Sequence, residues 1–116
     1  LRLTTGRGES VDLLRGPKAT GEVRYLGAAP IEGECAQLRR LLEPHGGSYV
    51  EAFVSAPSPG IIAAAMENEH YDGLPAYVEA LAQALRTEYE AIARAGFVLQ
   101  IDAPDLAMER HTLFQD

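Results

Sequence analysis

Residues 74–102, LPAYVEALAQALRTEYEAIARAGFVLQID, decide the fold class of this chain. Apolar side chains recur in this stretch at helical spacing, namely at Leu74, Val78, Leu81, Leu85 and Ile92. Pro75 suits the first turn of a helix and Gly96 suits the position just past its end, so we predict a helix of about six turns. The apolar run at residues 97–101 is typical of a strand buried on both faces.

Two predicted strands and two predicted helices precede this stretch. Residues 22–26 alternate and are rich in strand formers, and Pro30 then opens a helix. The apolar face of that helix is Ile31, Cys35, Leu38 and Leu42. Residues 49–55 predict a second strand, which the Pro-rich residues 56–60 end, and residues 61–67 predict a short helix. Strands alternating with helices indicate right-handed crossovers and a parallel sheet.

Three parallel strands with two crossovers predict the α/β fold class. More specifically, they predict an incomplete segment of a parallel (β/α)8 barrel of the TIM type. A whole barrel takes about 250 residues and this chain has 116. We assign residues 20–116 to the partial barrel and residues 1–19, which lack a sustained period, to an irregular N-terminal arm. A first residue other than Met and an end without a stop signal predict a piece of something longer. The open sheet edge predicts self-association.

Composition restricts the partners and the compartment. Seventeen acidic and ten basic residues give a net charge of -7, without a basic cluster larger than Arg39 and Arg40, which argues against nucleic acid. Cys35 is the only cysteine, so an internal disulfide and an all-cysteine zinc site are impossible within this chain. The apolar runs are too short to span a bilayer and the start lacks a signal peptide's apolar segment. These features predict a soluble, cytoplasmic protein.

Several short motifs occur in an order that matches a known family. They are Glu51-Ala52-Phe53, residues 55–60 (SAPSPG), residues 68–71 (NEHY), residues 85–89 (LRTEY) and residues 95–102 (AGFVLQID). Together with residues 21–36, this arrangement resembles the methionine synthase II group of the cobalamin-independent methionine synthase family, over about residues 20–116. The most specific part is Ala-Gly-Phe followed by an apolar strand that ends in Gln-Ile-Asp with a Pro nearby.

The resemblance implies a zinc-dependent methyltransferase that moves a methyl group from a methylated folate, or a similar donor, to a thiol such as homocysteine. Zinc lowers the pKa of a thiol and holds the thiolate for attack. The family's zinc ligands include a His-x-Cys pair, which is absent from this sequence, so no metal role is assigned to Cys35. The resemblance implies that Asp102 holds the amino group of the substrate. Ala103 stands where the family usually has a second acidic residue.

Each candidate site residue also has a structural interpretation. Asp102 precedes Ala-Pro and is also a turn former, while Ser55 and Ser58 either contact a substrate or only shape the turn after the second strand. Asp105 is predicted to be the N-cap of a helix from Leu106, with Glu109 near its first turn. The acidic, His-containing residues 67–72 are interpreted as a solvated loop rather than a metal site. His45 and His111 are predicted to be ordinary surface residues.

Three hypotheses for function remain at this stage. The first is a methyltransferase-related segment that acts on a small thiol or amino acid, with the zinc ligands outside the chain. The second is a non-catalytic remnant or interaction module that associates through its open sheet edge. The third is a different reaction on the same fold, such as thiol-cofactor transfer or decarboxylation, because one barrel supports many chemistries.

Overall fold

The computed structural model describes residues 2–4, 10–12 and 16–107, and the elements below lie within those ranges. The strands are β1 (Arg2–Thr4), β2 (Ser10–Asp12), β3 (Lys18–Ala19), β4 (Phe53–Pro57), β5 (Glu67–Asn68) and β6 (Val98–Asp102). The α-helices are α1 (Ala29–Leu42), α2 (Pro59–Ala65) and α3 (Leu74–Arg94), and short 3-10 turns cover Glu43–His45 and Pro104–Leu106. β1 and β2, within the predicted arm, pair antiparallel.

Helix α3 is the main packing element, and its prediction is confirmed. Pro75 lies in its first turn, and Gly96, just after the helix, has a φ of 81°, a conformation that favours glycine. Its buried residues are Tyr77, Leu81, Leu85, Ala91 and Ile92. Tyr77 is fully buried on the same face, three residues after Leu74, although it is not among the predicted apolar residues. Its hydroxyl donates to the carbonyl oxygen of Met66 at 3.1 Å, which satisfies its polar end in the core.

Strands β4 and β6 form a parallel pair that is covered on one face only. Their register runs from Phe53 opposite Val98 to Pro57 opposite Asp102. Helices α1 and α3 pack against the face that carries Ala56, in a core of Ile31, Cys35, Ala56, Ala91 and Ile92. On the opposite face Phe53 is 55% exposed and Val98 is 43% exposed. The prediction that residues 97–101 form a strand buried on both faces is therefore wrong for the described part of the chain.

The strands are not arranged as a barrel segment, which corrects the predicted fold class. The strand expected at residues 22–26 is absent, and the nearest one, β3, pairs in parallel with β5 rather than with β4. The described residues thus form a small α/β structure with three α-helices and two separate two-stranded parallel sheets. Side chains hold residues 22–26 instead of a strand ladder: the Val23 N–H donates to the Tyr71 hydroxyl, and the Tyr25 hydroxyl donates to Glu88, both at 2.8 Å.

A second core surrounds the β3–β5 pair. It contains Ala19, Tyr77 and Leu81, and the ring of Tyr71 stacks on that of Tyr77 at 5.6 Å between centroids. Helix α3 joins the two cores, since Tyr77 and Leu81 belong to one and Ala91 and Ile92 to the other. None of the helices in the described ranges combines the length and apolarity that crossing a membrane requires.

Candidate ligand site at the strand ends

The carboxyl ends of β4 and β6 lie side by side. Pro57 and Asp102 are partners in the strand register, and the next backbone N–H, that of Ser58, donates to the carbonyl oxygen of Asp102 at 2.9 Å. The Tyr89 hydroxyl of α3 donates to the carbonyl oxygen of Pro57 at 2.6 Å. Burial, assisted by the charge of Glu88, raises the pKa of Tyr89, so this hydroxyl stays a donor at neutral pH. The two strand ends are therefore fixed relative to each other.

Asp102 lies at this fixed end with its side chain exposed. An exposed carboxylate on a pinned backbone is suited to pairing with a cationic group of a ligand, such as an ammonium. Ala103 is the next residue, so the carboxylate has no acidic neighbour in sequence on its carboxyl side. The residue after Asp102 therefore adds no second negative charge at the end of β6.

Ser58 is buried and occupied by contacts within the protein. Its side chain is only 5% exposed, and its Oγ accepts from the backbone N–H of Ile61 at 3.0 Å as the N-cap of α2. The same hydroxyl donates to Oδ1 of Asp105. Asp105 lies inside the Pro104–Leu106 turn and its carboxylate accepts from Ser58. The helix predicted from Leu106, which Asp105 would cap, falls mostly outside the described residues. Glu109 lies outside the described residues.

Ser55 lies on the uncovered face of the β4–β6 pair. Its strand partner is Gln100, whose Nε2 donates to the Ser55 Oγ at 3.2 Å. Both residues are exposed, and towards the amino ends of the strands the face carries a shallow depression of about 290 Å³ bordered by Phe53 and Val98. Of the three predicted substrate-binding residues, Asp102 and Ser55 are thus exposed, whereas Ser58 is enclosed.

The loop at residues 69–73 is ordered by its own polar contacts. Oδ1 of Asn68 accepts from the backbone N–H groups of His70 and Tyr71, and its Nδ2 donates to the carbonyl oxygen of Tyr71. Lys18 forms ion pairs with Glu69 and, at 3.2 Å, with Glu67. Two of the acidic groups weighed as metal ligands therefore pair with a lysine, and the loop holds β3 against β5.

The described residues do not fit a zinc site. In residues 16–107 no three His, Cys, Asp or Glu side chains come close enough together to hold a metal ion. Cys35 is 3% exposed, and burial, with a contribution from Glu34, raises the pKa of its thiol. A raised pKa disfavours the thiolate that binds zinc. His45 lies exposed in the Glu43–His45 turn, and His111 is outside the described residues.

Three residues of this site were not identified from the sequence. Tyr89 occurs in the sequence analysis only within the motif of residues 85–89, and its bond to the Pro57 carbonyl spans 32 residues. Asp105 was assigned to a local cap, although its partner Ser58 is 47 residues away. Gly60 was interpreted only as part of a turn, whereas the Asp105 carboxylate lies against it. A contact between residues 47 positions apart, such as Ser58 and Asp105, leaves no periodic signal in a single sequence.

Comparisons with protein-family models, with curated proteins and with solved structures found no match to this chain.

Proposed function

We propose that this chain takes part in methyl transfer from a methylated folate, or a similar donor, to the thiol of a small amino acid such as homocysteine. In this proposal Asp102 binds the ammonium group of the thiol acceptor. The observation that carries it is an exposed carboxylate at the end of β6, where the backbone is pinned by Ser58. The motif order over residues 51–102, which resembles the cobalamin-independent methionine synthases, supports the choice of substrate.

The contribution of Asp102 to affinity is modest, because an exposed ion pair is worth about 0.2–1 kcal/mol. Its role is mainly to orient the acceptor, with the amino group held at the strand end and the thiol directed away from it. Zinc would activate the thiol in the family that the sequence resembles. Among residues 16–107 no three His, Cys, Asp or Glu side chains lie close enough together to hold a metal ion, so this proposal assigns to the chain the binding and orientation of the acceptor.

Titration of the 15N-labelled chain with homocysteine, followed by amide chemical shifts, tests this role. We expect shifts that saturate at the amides of residues 100–103 and are small on α1, which lies on the other face of the sheet. Asp102→Asn should weaken binding by up to about fivefold, the equivalent of roughly 1 kcal/mol. N-acetylhomocysteine, which lacks the ammonium group, should bind both proteins equally weakly.

Asp72→Asn is the matched control, since it removes the same charge from an exposed position in the loop before α3. It should bind homocysteine like the unmodified chain. Equal loss of affinity in the two variants would mean that net charge, and not the position of Asp102, attracts the ligand. Shifts that spread evenly over the chain would also count against the proposal.

The uncovered sheet favours a second candidate function, an interaction module that pairs with a second copy of itself. Within the described residues β4 and β6 have only each other as sheet partners, and two strands alone are marginally stable in water. The exposed edge of one copy can pair with the same edge of another about a two-fold axis. Phe53 and Val98, which are exposed on these two edge strands, would gain cross-strand neighbours from the strand that the second copy adds.

Sedimentation velocity at low and high salt tests this association. Both copies carry a charge of -7, so we expect the dimer fraction to rise with salt as the repulsion is screened. Val98→Lys should shift the equilibrium towards monomer, whereas Leu41→Lys, at an exposed apolar position on α1, should not. A monomer at all salt concentrations and at high protein concentration would rule this candidate out.

A further inference from the structure

Ser58 and Asp105 together attach the segment after β6 to the start of α2. The backbone N–H of Ser58 donates to the carbonyl oxygen of Asp102, and the Ser58 hydroxyl donates to Oδ1 of Asp105. Residues 102–105 are therefore fastened at both ends to one buried residue. We infer that this pair, here called the Ser58–Asp105 clamp, positions Asp102 for its ligand, an inference that rests on the proposed function.

The Ser58–Asp105 clamp is better ordered than a contact between two exposed side chains, because Ser58 is buried and makes a second hydrogen bond. The Ser58 side chain is buried, and its Oγ also accepts from the N–H of Ile61, which fixes the direction in which its proton points. An O–H donor facing a carboxylate makes a stronger hydrogen bond than a neutral pair does. Asp105 is half-buried beside it. The turn Pro104–Leu106 is thereby tied to the N-cap residue of α2, which lies 47 residues before Asp105 in the sequence.

Gly60 provides the space for the carboxylate. A Cβ atom at this position would lie 2.7 Å from Cγ of Asp105, so the Asp105 side chain would have to move away from α2. Glycine inside a helix is normally less favourable than alanine, since it loses more backbone freedom on folding. At this position the glycine leaves room for the Asp105 carboxylate beside Ser58, which accounts for a residue that helix propensity disfavours.

The clamp makes Asp105 a positioning residue. Its carboxylate is engaged with Ser58 and lies over Gly60, while the exposed carboxylate of Asp102 is the group that meets the ligand. Without the clamp, residues 103–105 remain attached to the fold at only one end, and Asp102 must be ordered when the ligand binds. Ordering one side chain on binding lowers affinity by roughly twofold to tenfold.

Backbone 15N relaxation of the ligand-free chain tests the clamp directly. In Asp105→Ala we expect the order parameters of the Ala103 and Asp105 amides to fall from about 0.85 towards 0.6 or below. Asp105→Asn keeps an acceptor oxygen for the Ser58 hydroxyl and should stay close to the unmodified chain. Amides of α3 serve as an internal reference. Unchanged order parameters in Asp105→Ala would overturn the inference.

Homocysteine titration of the same samples separates this inference from the proposed function. The affinity of Asp105→Ala for homocysteine should be roughly twofold to tenfold lower than that of the unmodified chain. Asp105→Asn should retain most of the affinity of the unmodified chain. If the unmodified chain binds no homocysteine, the proposed function fails, while the relaxation data still decide whether the clamp orders the segment. If the chain binds homocysteine and Asp105→Ala binds it equally well, the positioning role is overturned.

Gly60→Ala provides a second variant with different chemistry. In the unmodified chain it should displace the Asp105 carboxylate and lower the midpoint of thermal unfolding by about 4 °C. In the Asp105→Ala background the obstacle is gone, so the same substitution should raise the midpoint through its better helix propensity. A change of the same sign in both backgrounds would show that Gly60 and Asp105 do not interact.

Discussion

A side-chain hydrogen bond of Tyr25 links the segment before α1 to helix α3. Its hydroxyl donates to Oε2 of Glu88 at 2.8 Å, and its side chain is half-buried. Burial raises the pKa of Tyr25 to about 12, and the hydrogen bond and charge of Glu88 add to the shift, with a smaller effect of Glu34. The neutral, donating form of the phenol is therefore the form that the folded state stabilises.

Tyr25→Phe should lower the free energy of unfolding by about 0.5–1.5 kcal/mol at pH 8, because it removes one hydrogen bond. The loss should shrink with pH. In the unfolded chain Tyr25 ionises near its ordinary pKa of 10.0, but in the folded protein it does so only at about 12. The stabilisation is therefore complete below pH 10 and disappears as the pH rises through 12.

Urea denaturation at pH 8 and at pH 11 measures the difference between the two proteins. Tyr49→Phe, at an exposed tyrosine, is the control for general effects of a missing hydroxyl and should show little difference at either pH. If the difference between Tyr25→Phe and the unmodified chain were the same at both pH values, the Tyr25 hydroxyl would not be held in its neutral form.

The same residue shows why a strand was predicted where none exists. Residues 22–26 alternate as a strand does, and the pattern correctly indicates side chains that point in opposite directions, with Val23 and Tyr25 inward. It does not indicate what the backbone N–H groups bind, and one of them binds a tyrosine hydroxyl rather than a strand. Asp102, by contrast, lies at the end of a strand as predicted, because the run before it is mostly apolar and ends at Asp102.

At the scale of elements, α3 is the helix whose contacts matter most. Ile92 is fully buried between α1 and the β4–β6 pair, whereas Leu74, on the same predicted apolar face, is 39% exposed. The first residue of the helix therefore contributes little to the core. The last third packs against both α1 and the β4–β6 pair through Ala91 and Ile92.

Ile92→Ala should lower the free energy of unfolding by about 2–5 kcal/mol, since it leaves a cavity in a packed core. Leu74→Ala removes a side chain of the same size from a half-exposed position and should cost less than about 1 kcal/mol. Denaturation in urea, followed by circular dichroism, gives both values. Similar costs for the two substitutions would contradict the packing described for α3.

The sequence predicts helices better than strands, and β4 shows the reason. Helices α1 and α3 were predicted within two residues of their ends because a helix satisfies its own hydrogen bonds. The second strand was predicted at residues 49–55, but β4 runs from Phe53 to Pro57. The first and last residues of β4 depend on where β6 pairs with it. The first backbone hydrogen bond from β6 runs from the Val98 N–H to the Ala52 carbonyl oxygen at 3.1 Å. Strand β5, two residues long, has no pattern of its own.

For the whole molecule, the continuity of α3 determines how the two cores behave. One core contains Tyr77 and Leu81, the other Ala91 and Ile92, and an unbroken helix of 21 residues connects them. Loss of either core removes the packing that holds its part of the helix, and a helix without packing is marginal in water. The cores are therefore coupled through the backbone of α3.

Residues 16–107 should consequently unfold in one transition. We expect Leu81→Ala, in the β3–β5 core, and Ile92→Ala, in the β4–β6 core, each to lower a single thermal midpoint. Helix content by circular dichroism and tyrosine fluorescence should give the same midpoint in each variant. Two separate midpoints, each sensitive to only one of the substitutions, would show that the cores are independent.

The barrel prediction failed at this scale for a physical reason. Alternation of strands and helices along the chain was used to infer one sheet, but alternation states only the order of elements. Whether β3 joins β4 depends on which edge lies closest when α3 has packed, and β3 pairs with β5 near the start of α3 instead. The connection from β4 to β6 was predicted correctly because α3 is long and amphipathic enough to cover both strands.

The Ser58–Asp105 contact has a consequence for the newly made chain on the ribosome. Synthesis proceeds from the amino terminus at about 5–20 residues per second, so Asp105 follows Ser58, 47 residues earlier, by roughly 2–9 s. During that interval β4 lacks both its partner strand and the carboxylate that closes the strand end. Phe53 and the edge of β4 are then open to other chains, and a chaperone that binds extended apolar segments would find its target in this interval.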